Sequence, residues 1–412
     1  MTSIHAHSQH PPSEIRVLLL ENVHDSALEL FATERFRVER LPGALPPAEL
    51  IKRLSDVHVL GIRSKTQVTQ AVLSEARQLL TVGCFCIGTN QVDLTTATVR
   101  GLPVFNAPFS NTRSVAELMI SEIIMLARQL GDRSREVHAG TWQKTADNSH
   151  EIRGKTLGIV GYGHIGSQLG VLAEACGMRV IFYDRTTKLP IGNNRSCHTL
   201  ADVLNEADYV SLHVPATRET KDMIGAEELA QMKPGACLLN ASRGSVVTIP
   251  ALAAALKSGH LGGAAIDVYP EEPESNSNGF VTELQGLTNV ILTPHIGGST
   301  SEAQESIGRE VASALIKFVT AGATTGSVNF PELEMPPVPN THRVLNVHKN
   351  VPGVLRDVNR IVSERNANIH SQLLKTYNDI GYLIMDLDED VSLEVCRDIS
   401  GLPTNIRTRI LY

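Results

Sequence analysis

Lys155-Thr156-Leu157-Gly158-Ile159-Val160-Gly161-Tyr162-Gly163-His164-Ile165-Gly166 is the stretch whose reading decides the fold. Its apolar run reads as a buried strand that meets G-x-G-x-x-G and passes into helical spacing. Gly161 permits the tight turn, Gly163 lets a pyrophosphate approach the backbone, and Gly166 lets helix and strand pack closely. The helix start then offers unpaired N–H groups and a positive dipole end to phosphates. A second strand follows, Arg179 to Tyr183, and ends on Asp184. That acid stands about 18 residues past Gly166, close to the roughly 20 expected of a ribose-binding carboxylate. A carboxylate there accepts from the ribose hydroxyls and repels a 2′-phosphate, so the sequence predicts NAD rather than NADP.

On either side of this unit, strand and helix patterns alternate. Arg16 to Leu20, His58 to Ile62, Leu79 to Cys86 and Pro103 to Asn106 read as strands, with helices over Asp25 to Phe36 and Thr69 to Arg77. Such alternation predicts a parallel sheet with helices on its faces. A single long helix is expected from Arg113 to Leu130, carrying the chain into the second domain. Further strands at Tyr209 to Val214, Ala236 to Asn240, Ala264 to Val268 and Asn289 to Leu292 bring that domain to six, the number in a doubled mononucleotide-binding sheet. Thr300 to Thr320 reads as a helix returning to the first domain. Prolines 331, 336, 337 and 339 then predict a semi-rigid linker. The remaining β-α-β-β-α-β order predicts a ferredoxin-like small domain.

The fold class is therefore α/β, with two doubly wound parallel-sheet domains and a ferredoxin-like tail. The expected boundaries are a disordered tail over 1–14, a discontinuous substrate-binding domain over 15–110 and 299–330, a dinucleotide domain over 111–298, a linker over 331–341 and the small domain over 342–412. The tail's His5, His7 and His10 suggest a stray metal site less than a disordered segment, and no metal is expected.

The 412 residues are 42% apolar and carry a net charge of −7, from 37 basic and 44 acidic groups. No long basic block exists, so charge does not point to nucleic acid. The longest apolar runs are too short to span a bilayer, and no secretory signal is visible. Six scattered cysteines, with Cys84, Cys86 and Cys237 inside apolar runs, suit reduced thiols in a cytoplasmic protein.

A nicotinamide cofactor implies hydride transfer, for which the protein must supply a proton acceptor, a group to orient it, and a cation for a carboxylate. Three candidates follow predicted strands, where ligands bind in such sheets. Arg243 stands in Asn240-Ala241-Ser242-Arg243-Gly244, Glu272 in Asp267-Val268-Tyr269-Pro270-Glu271-Glu272-Pro273, and His295 in Thr293-Pro294-His295-Ile296-Gly297-Gly298. An imidazole suits proton exchange near neutral pH, a carboxylate beside it raises its pKa, and an arginine fork fits a carboxylate. Glu271 competes with Glu272 for the middle role, and Asp267 suits orienting the nicotinamide amide.

Together with His213-x-Pro215, these motifs resemble the D-2-hydroxyacid dehydrogenase family over most of residues 15 to 330. The resemblance implies that Arg243 holds the substrate carboxylate and carbonyl, that His295 is the acid/base, and that Glu272 is its partner. It implies NAD contacts from Gly161, Gly163, His164, Ile165, Gly166, Asp184, His213, Pro215, Ala241, Ser242, Asp267, Gly297 and Gly298. Ile87-Gly88-Thr89-Asn90 and the segment Asn106 to Glu117 resemble the branch that oxidises C2 of 3-phosphoglycerate at the head of serine synthesis, with 2-oxoglutarate reduction as a side activity. For that branch Arg63, Ser64, Lys65 and Asn111 are implied substrate contacts. Trp142 and Lys144 match an element that reaches a neighbouring subunit's site. The tail is similar to ACT domains, with His348, Asn350 and Asn368 at the serine-binding positions, which implies feedback by serine in a homotetramer. Two alternatives share the scaffold: a glyoxylate or hydroxypyruvate reductase, and a dinucleotide-sensing corepressor. The ACT tail and the Asn111 region argue against the first, and the intact Arg243, Glu272 and His295 against the second.

Overall fold

The computed structural model describes residues 12–273 and 277–412. His5, His7 and His10 lie outside the described residues; Pro12–Glu14, expected in the tail, form a short 3-10 turn. Among the described residues, one compact unit runs to Ser110 and resumes at Gln304, and the other runs from Asn111 to Ala303.

The first unit holds two sheets. Five parallel strands, β1 (Arg16–Leu19), β2 (Arg37–Arg40), β3 (Val59–Ile62), β4 (Thr81–Cys84) and β5 (Val104–Asn106), lie in the order β2-β1-β3-β4-β5. Both faces of this sheet are covered, so its central strands read as unbroken apolar runs rather than alternations. Val17 and Leu19 enter one core while Leu18 and Leu20 enter the other. The edge strand β2, Arg-Val-Glu-Arg, is mostly exposed and carries no apolar signal, and the sequence did not announce it. The short helices Pro47–Arg53 and Leu94–Val99 were likewise missed.

The second sheet is antiparallel. After the seven strands of the other unit come β13 (His342–Lys349), β14 (Ile369–Tyr377), β15 (Ile380–Leu387) and β16 (Asn405–Leu411), in the order β14-β15-β13-β16. Its alternation is used on both sides. Val344, Leu383 and Met385 pack with Val358 and Val395 of the helices Val354–Glu364 and Ser392–Ser400. Leu345, Val347, Tyr382 and Ile384 turn the other way and join the core of the first sheet, beside Phe105, Phe318 and Phe330.

The proline-rich segment is not a free spacer. Leu333 is buried, and Thr324 donates its N–H to the Leu333 carbonyl at 2.8 Å. The buried Arg343 guanidinium forks onto Asp386 at 2.7 and 2.8 Å. It also donates to the carbonyls of Ala321, Met335 and Pro336 at 2.9, 2.8 and 2.8 Å. A guanidinium has five N–H donors, and here one side chain straps the segment to the sheet that follows it.

The second unit is a seven-stranded parallel sheet: β6 (Thr156–Val160), β7 (Arg179–Tyr183), β8 (Arg195–Ser196), β9 (Tyr209–Leu212), β10 (Cys237–Asn240), β11 (Gly263–Ile266) and β12 (Val290–Leu292). The order is β12-β11-β10-β9-β6-β7-β8, so direction of growth reverses at β6 and β9. Six strands were expected; the seventh, β8, is a two-residue edge. The expected helix to Leu130 is in fact two. Thr112–Arg128 ends where Gln129 adopts φ 51°, and Leu130–His138 starts afresh with Leu130 exposed.

Candidate active site

The glycine corner has the geometry its spacing demands. Gly161 has φ 94°, and a Cβ there would lie 2.3 Å from the His213 carbonyl oxygen, so neither the conformation nor the space admits a side chain. Gly163 opens the helix His164–Ala175, and nothing lies within 4 Å of where its Cβ would be. Helix N–H groups thus face open space that fits a pyrophosphate. At the end of β7, Asp184 accepts the Tyr162 N–H at 2.9 Å and the Thr186 N–H at 3.0 Å, which fixes its carboxylate beside the corner. His213 is half-buried, with Nε2 against Ser211 Oγ at 2.9 Å, and desolvation of the ring lowers its pKa to about 4, so it stays neutral. These residues suit a dinucleotide.

Beyond β10, Asn240 builds the next turn. Its Oδ1 accepts from the N–H and Oγ of Ser242 at 3.0 and 2.8 Å, and its Nδ2 donates to the Arg243 carbonyl at 3.1 Å. Gly244 then passes so close to Tyr269 that a Cβ would come within 1.9 Å of that residue's carbonyl carbon. The Arg243 guanidinium keeps one donor on the Ser242 carbonyl at 2.6 Å, which leaves others for a ligand.

Asp267, past β11, is buried and works as a hub. It accepts from Thr293 Oγ1 at 2.6 Å and from the N–H groups of Ile296 and Gly297 at 2.8 Å each. Its own carbonyl takes the His295 N–H at 2.8 Å. His295 is held with φ 53°, a left-handed conformation unusual outside glycine and asparagine. Its Nδ1 meets Glu272 Oε2 at 2.7 Å, while Glu272 Oε1 accepts the Tyr269 N–H at 3.0 Å. Both contacts are made by Glu272 and not by Glu271. The hydrogen bond that His295 donates to Glu272 raises the His295 pKa. Burial pushes the Glu272 carboxyl up, but the His295 hydrogen bond, the Tyr269 N–H and the charges of His295 and Arg243 outweigh it and hold it below the usual range. Because the carboxylate accepts the Nδ1–H hydrogen bond, Nε2 remains for proton exchange with a ligand.

The other expected residues lie on separate elements. Arg63, Ser64 and Lys65 belong to the first unit, on the loop after β3, with Ser64 and Lys65 exposed. Asn111 belongs to the second unit, at the start of the helix Thr112–Arg128 and close against Gly298. Trp142, 85% exposed, and Lys144 lie on an irregular segment of the second unit. His348 and Asn350 flank the end of β13, where His348 pairs with Gly381 in register. Asn368 precedes β14 at the other end of the same sheet, where His342 and Ile369 both pair with Leu387. At about 3.4 Å per residue, that places Asn368 roughly 20 Å from His348 within one chain.

Two residues escaped the sequence reading. Glu21 is buried beside the loop carrying Arg63, and Glu122 is 1% exposed with both carboxylate oxygens unbonded. Burial and the nearby Asp267 charge raise the Glu122 pKa to about 8. A lone acid inside a helical apolar stripe was the available signal for Glu122; Glu21 left none. No helix among the described residues is long and apolar enough to cross a membrane.

The glycine corner, the Asp184 carboxylate beside it and the Arg-Glu-His group at neighbouring strand ends are those of a D-isomer-specific 2-hydroxyacid dehydrogenase that uses NAD. The family description "D-isomer specific 2-hydroxyacid dehydrogenase, NAD binding domain" matches residues 120–297, and "AHAS small subunit-like ACT domain" matches 345–407. The D-lactate dehydrogenase of Aquifex aeolicus, solved with NAD and lactic acid, superposes with a TM-score of 0.65 at 27% identity, covering 77% of this chain and 100% of that one. D-3-phosphoglycerate dehydrogenase of Dictyostelium discoideum is 57% identical over 402 residues, 98% of each chain. The Escherichia coli K12 enzyme of that name is 52% identical over 97% of this chain and 98% of its own. The chain belongs to the D-3-phosphoglycerate dehydrogenase family.

Proposed function

We propose that this protein oxidises C2 of D-3-phosphoglycerate to 3-phosphohydroxypyruvate, the opening step of serine synthesis from a phosphorylated precursor. The observation that carries the chemistry is the 2.7 Å pair between His295 Nδ1 and Glu272. Arg243 grips the substrate carboxylate and draws electron density from the neighbouring carbonyl as it forms. His295 Nε2 takes the C2 hydroxyl proton, and Glu272 steadies the resulting imidazolium. NAD, when bound, supplies the acceptor for the C2 hydride. Asp267 and its N–H partners position His295, Asp184 reads the ribose, and Arg63, Ser64, Lys65 and Asn111 take the remainder of the substrate. Run backward, the same groups reduce 2-oxo acids such as 2-oxoglutarate.

The tail is read as a serine sensor in a cytoplasmic homotetramer. The separation of Asn368 from His348 supports an effector site shared by two copies, since one chain does not bring them together. Exposed Trp142 and Lys144 suit a reach into a neighbouring subunit's site.

The deciding experiment is NADH absorbance from purified protein offered a panel of 2-hydroxy acids, with and without serine. Turnover of 3-phosphoglycerate that falls as serine is added supports both parts. Bound dinucleotide without turnover of any 2-hydroxy acid overturns the enzymatic reading in favour of a dinucleotide sensor. Preference for unphosphorylated hydroxypyruvate overturns it in favour of a reductase.

A further inference from the structure

The loop after β3 is held by its backbone, and the holder is Glu21. This residue follows β1 in a left-handed conformation, φ 63°, and Asn22 after it has φ 53°. Two consecutive non-glycine residues in that region bear strain, which persists only where surrounding contacts impose it. The strained turn aims the Glu21 side chain inward, where the residue is 7% exposed. Its Oε1 accepts the N–H groups of Arg63 at 3.2 Å and Thr66 at 2.9 Å, and its Oε2 accepts that of Lys65 at 3.0 Å. From the other side Gln91 donates its side-chain amide to the Arg63 carbonyl at 2.7 Å. The main chain of 63–66 is thereby clamped while Ser64 and Lys65 point to solvent.

Neighbouring backbone N–H groups of this kind form a concavity that attracts anions. Here an internal carboxylate already fills it, so a ligand anion is left to the side chains. We propose that Glu21 is a positioning residue that fixes Arg63 and Lys65 in the arrangement that receives the phosphorylated end of the substrate. This rests on the reading that the loop takes substrate. The assignment runs against simple electrostatics: a buried negative charge behind an anion-binding loop weakens anion affinity, so its value must lie in geometry.

That opposition makes the test sharp. Glu21→Gln removes the charge and turns an N–H donor toward the loop's own donors. Glu21→Asp keeps the charge but falls short by one methylene. If Glu21 positions the loop, both raise the KM for 3-phosphoglycerate by about tenfold or more with kcat changed less than about threefold. NADH affinity, read by fluorescence titration, stays within about twofold, because the dinucleotide residues belong to the other unit. A KM that is unchanged or lower in Glu21→Gln overturns the proposal. Should the Glu21 variants fail to fold, Gln91→Leu releases the loop from its other side, and an unchanged KM there overturns it equally. Arg63→Ala serves as the separate control: if its KM is unchanged, the substrate reading of the loop is what fails.

Discussion

His295, beyond the strand ends of the seven-stranded sheet, and His348, on the first strand of the four-stranded one, are the same side chain in opposite surroundings. His295 is half exposed, set against the Glu272 carboxylate, and its pKa is raised. His348 is buried against the amide oxygen of Asn346 at 2.9 Å, and burial lowers its pKa. A charged neighbour makes an imidazole ready to take and return a proton; a neutral amide in a dry site makes it a fixed, uncharged hydrogen-bonding group. The difference teaches that residue type alone does not mark a histidine suited to proton exchange. A carboxylate beside it does.

The largest effect expected from this contrast is on turnover. His295→Ala lowers kcat by roughly two to four decades, the usual worth of a general acid/base, while steady-state assays of His348→Ala show far smaller losses. Comparable losses in both would break the comparison. Next, Glu272→Gln cuts kcat by at least about tenfold and moves the acidic limb of the kcat/KM profile to lower pH. The sign follows from the chemistry: oxidation needs neutral His295, Glu272 raises its pKa, and loss of the carboxylate lets the ring deprotonate earlier. A profile that stays in place would detach Glu272 from His295. Third, if the tail senses serine, inhibition changes little between pH 7 and 8 in the intact protein, because burial holds the His348 pKa below its ordinary value, and His348→Ala raises the serine concentration for half inhibition by about tenfold. A step in serine sensitivity across that range would show His348 titrating.

The smallest effect applies the same rule to an acid. Among the described residues Glu122 has no hydrogen-bond partner for either oxygen, and its pKa is raised to about 8 from 4.5. The folded chain keeps a proton that the unfolded chain gives up, so stability is full below about pH 4.5 and declines as pH rises toward 8. Glu122→Gln removes that dependence. Its melting temperature should gain on the parent by roughly 5 °C between pH 5 and pH 9, as read by calorimetry. A constant gap would mean the carboxyl is ionised.

The contrast also shows which parts of the molecule were legible beforehand. Runs buried on both faces, such as Leu157 to Val160, announce themselves because a parallel strand under two helical layers has no room for polar residues. The edge strand β2 and the short helices between sheet strands lacked that pressure, and their sequences carry little pattern. Arg243, Glu272 and His295 were visible because each follows a strong strand, where ligands collect in such sheets. The strap made by Arg343 was not, since Asp386 lies 43 residues on and its other acceptors are carbonyls that every residue possesses. Glu21 was invisible for the same reason: its partners are main-chain N–H groups.

The antiparallel sheet's second face ties the tail to the integrity of the first unit. Leu345, Val347, Tyr382 and Ile384 complete the apolar filling beneath the first sheet, Tyr382 Oη donates to the Gly322 carbonyl at 2.6 Å, and Arg407 donates to the Leu79 carbonyl at 2.7 Å. Cutting the chain at residue 341 would leave that filling incomplete and wet on one side. Single substitutions at His348 or Asn350 leave that apolar filling whole, whereas a stop codon ahead of the tail would open the core of the first sheet to water.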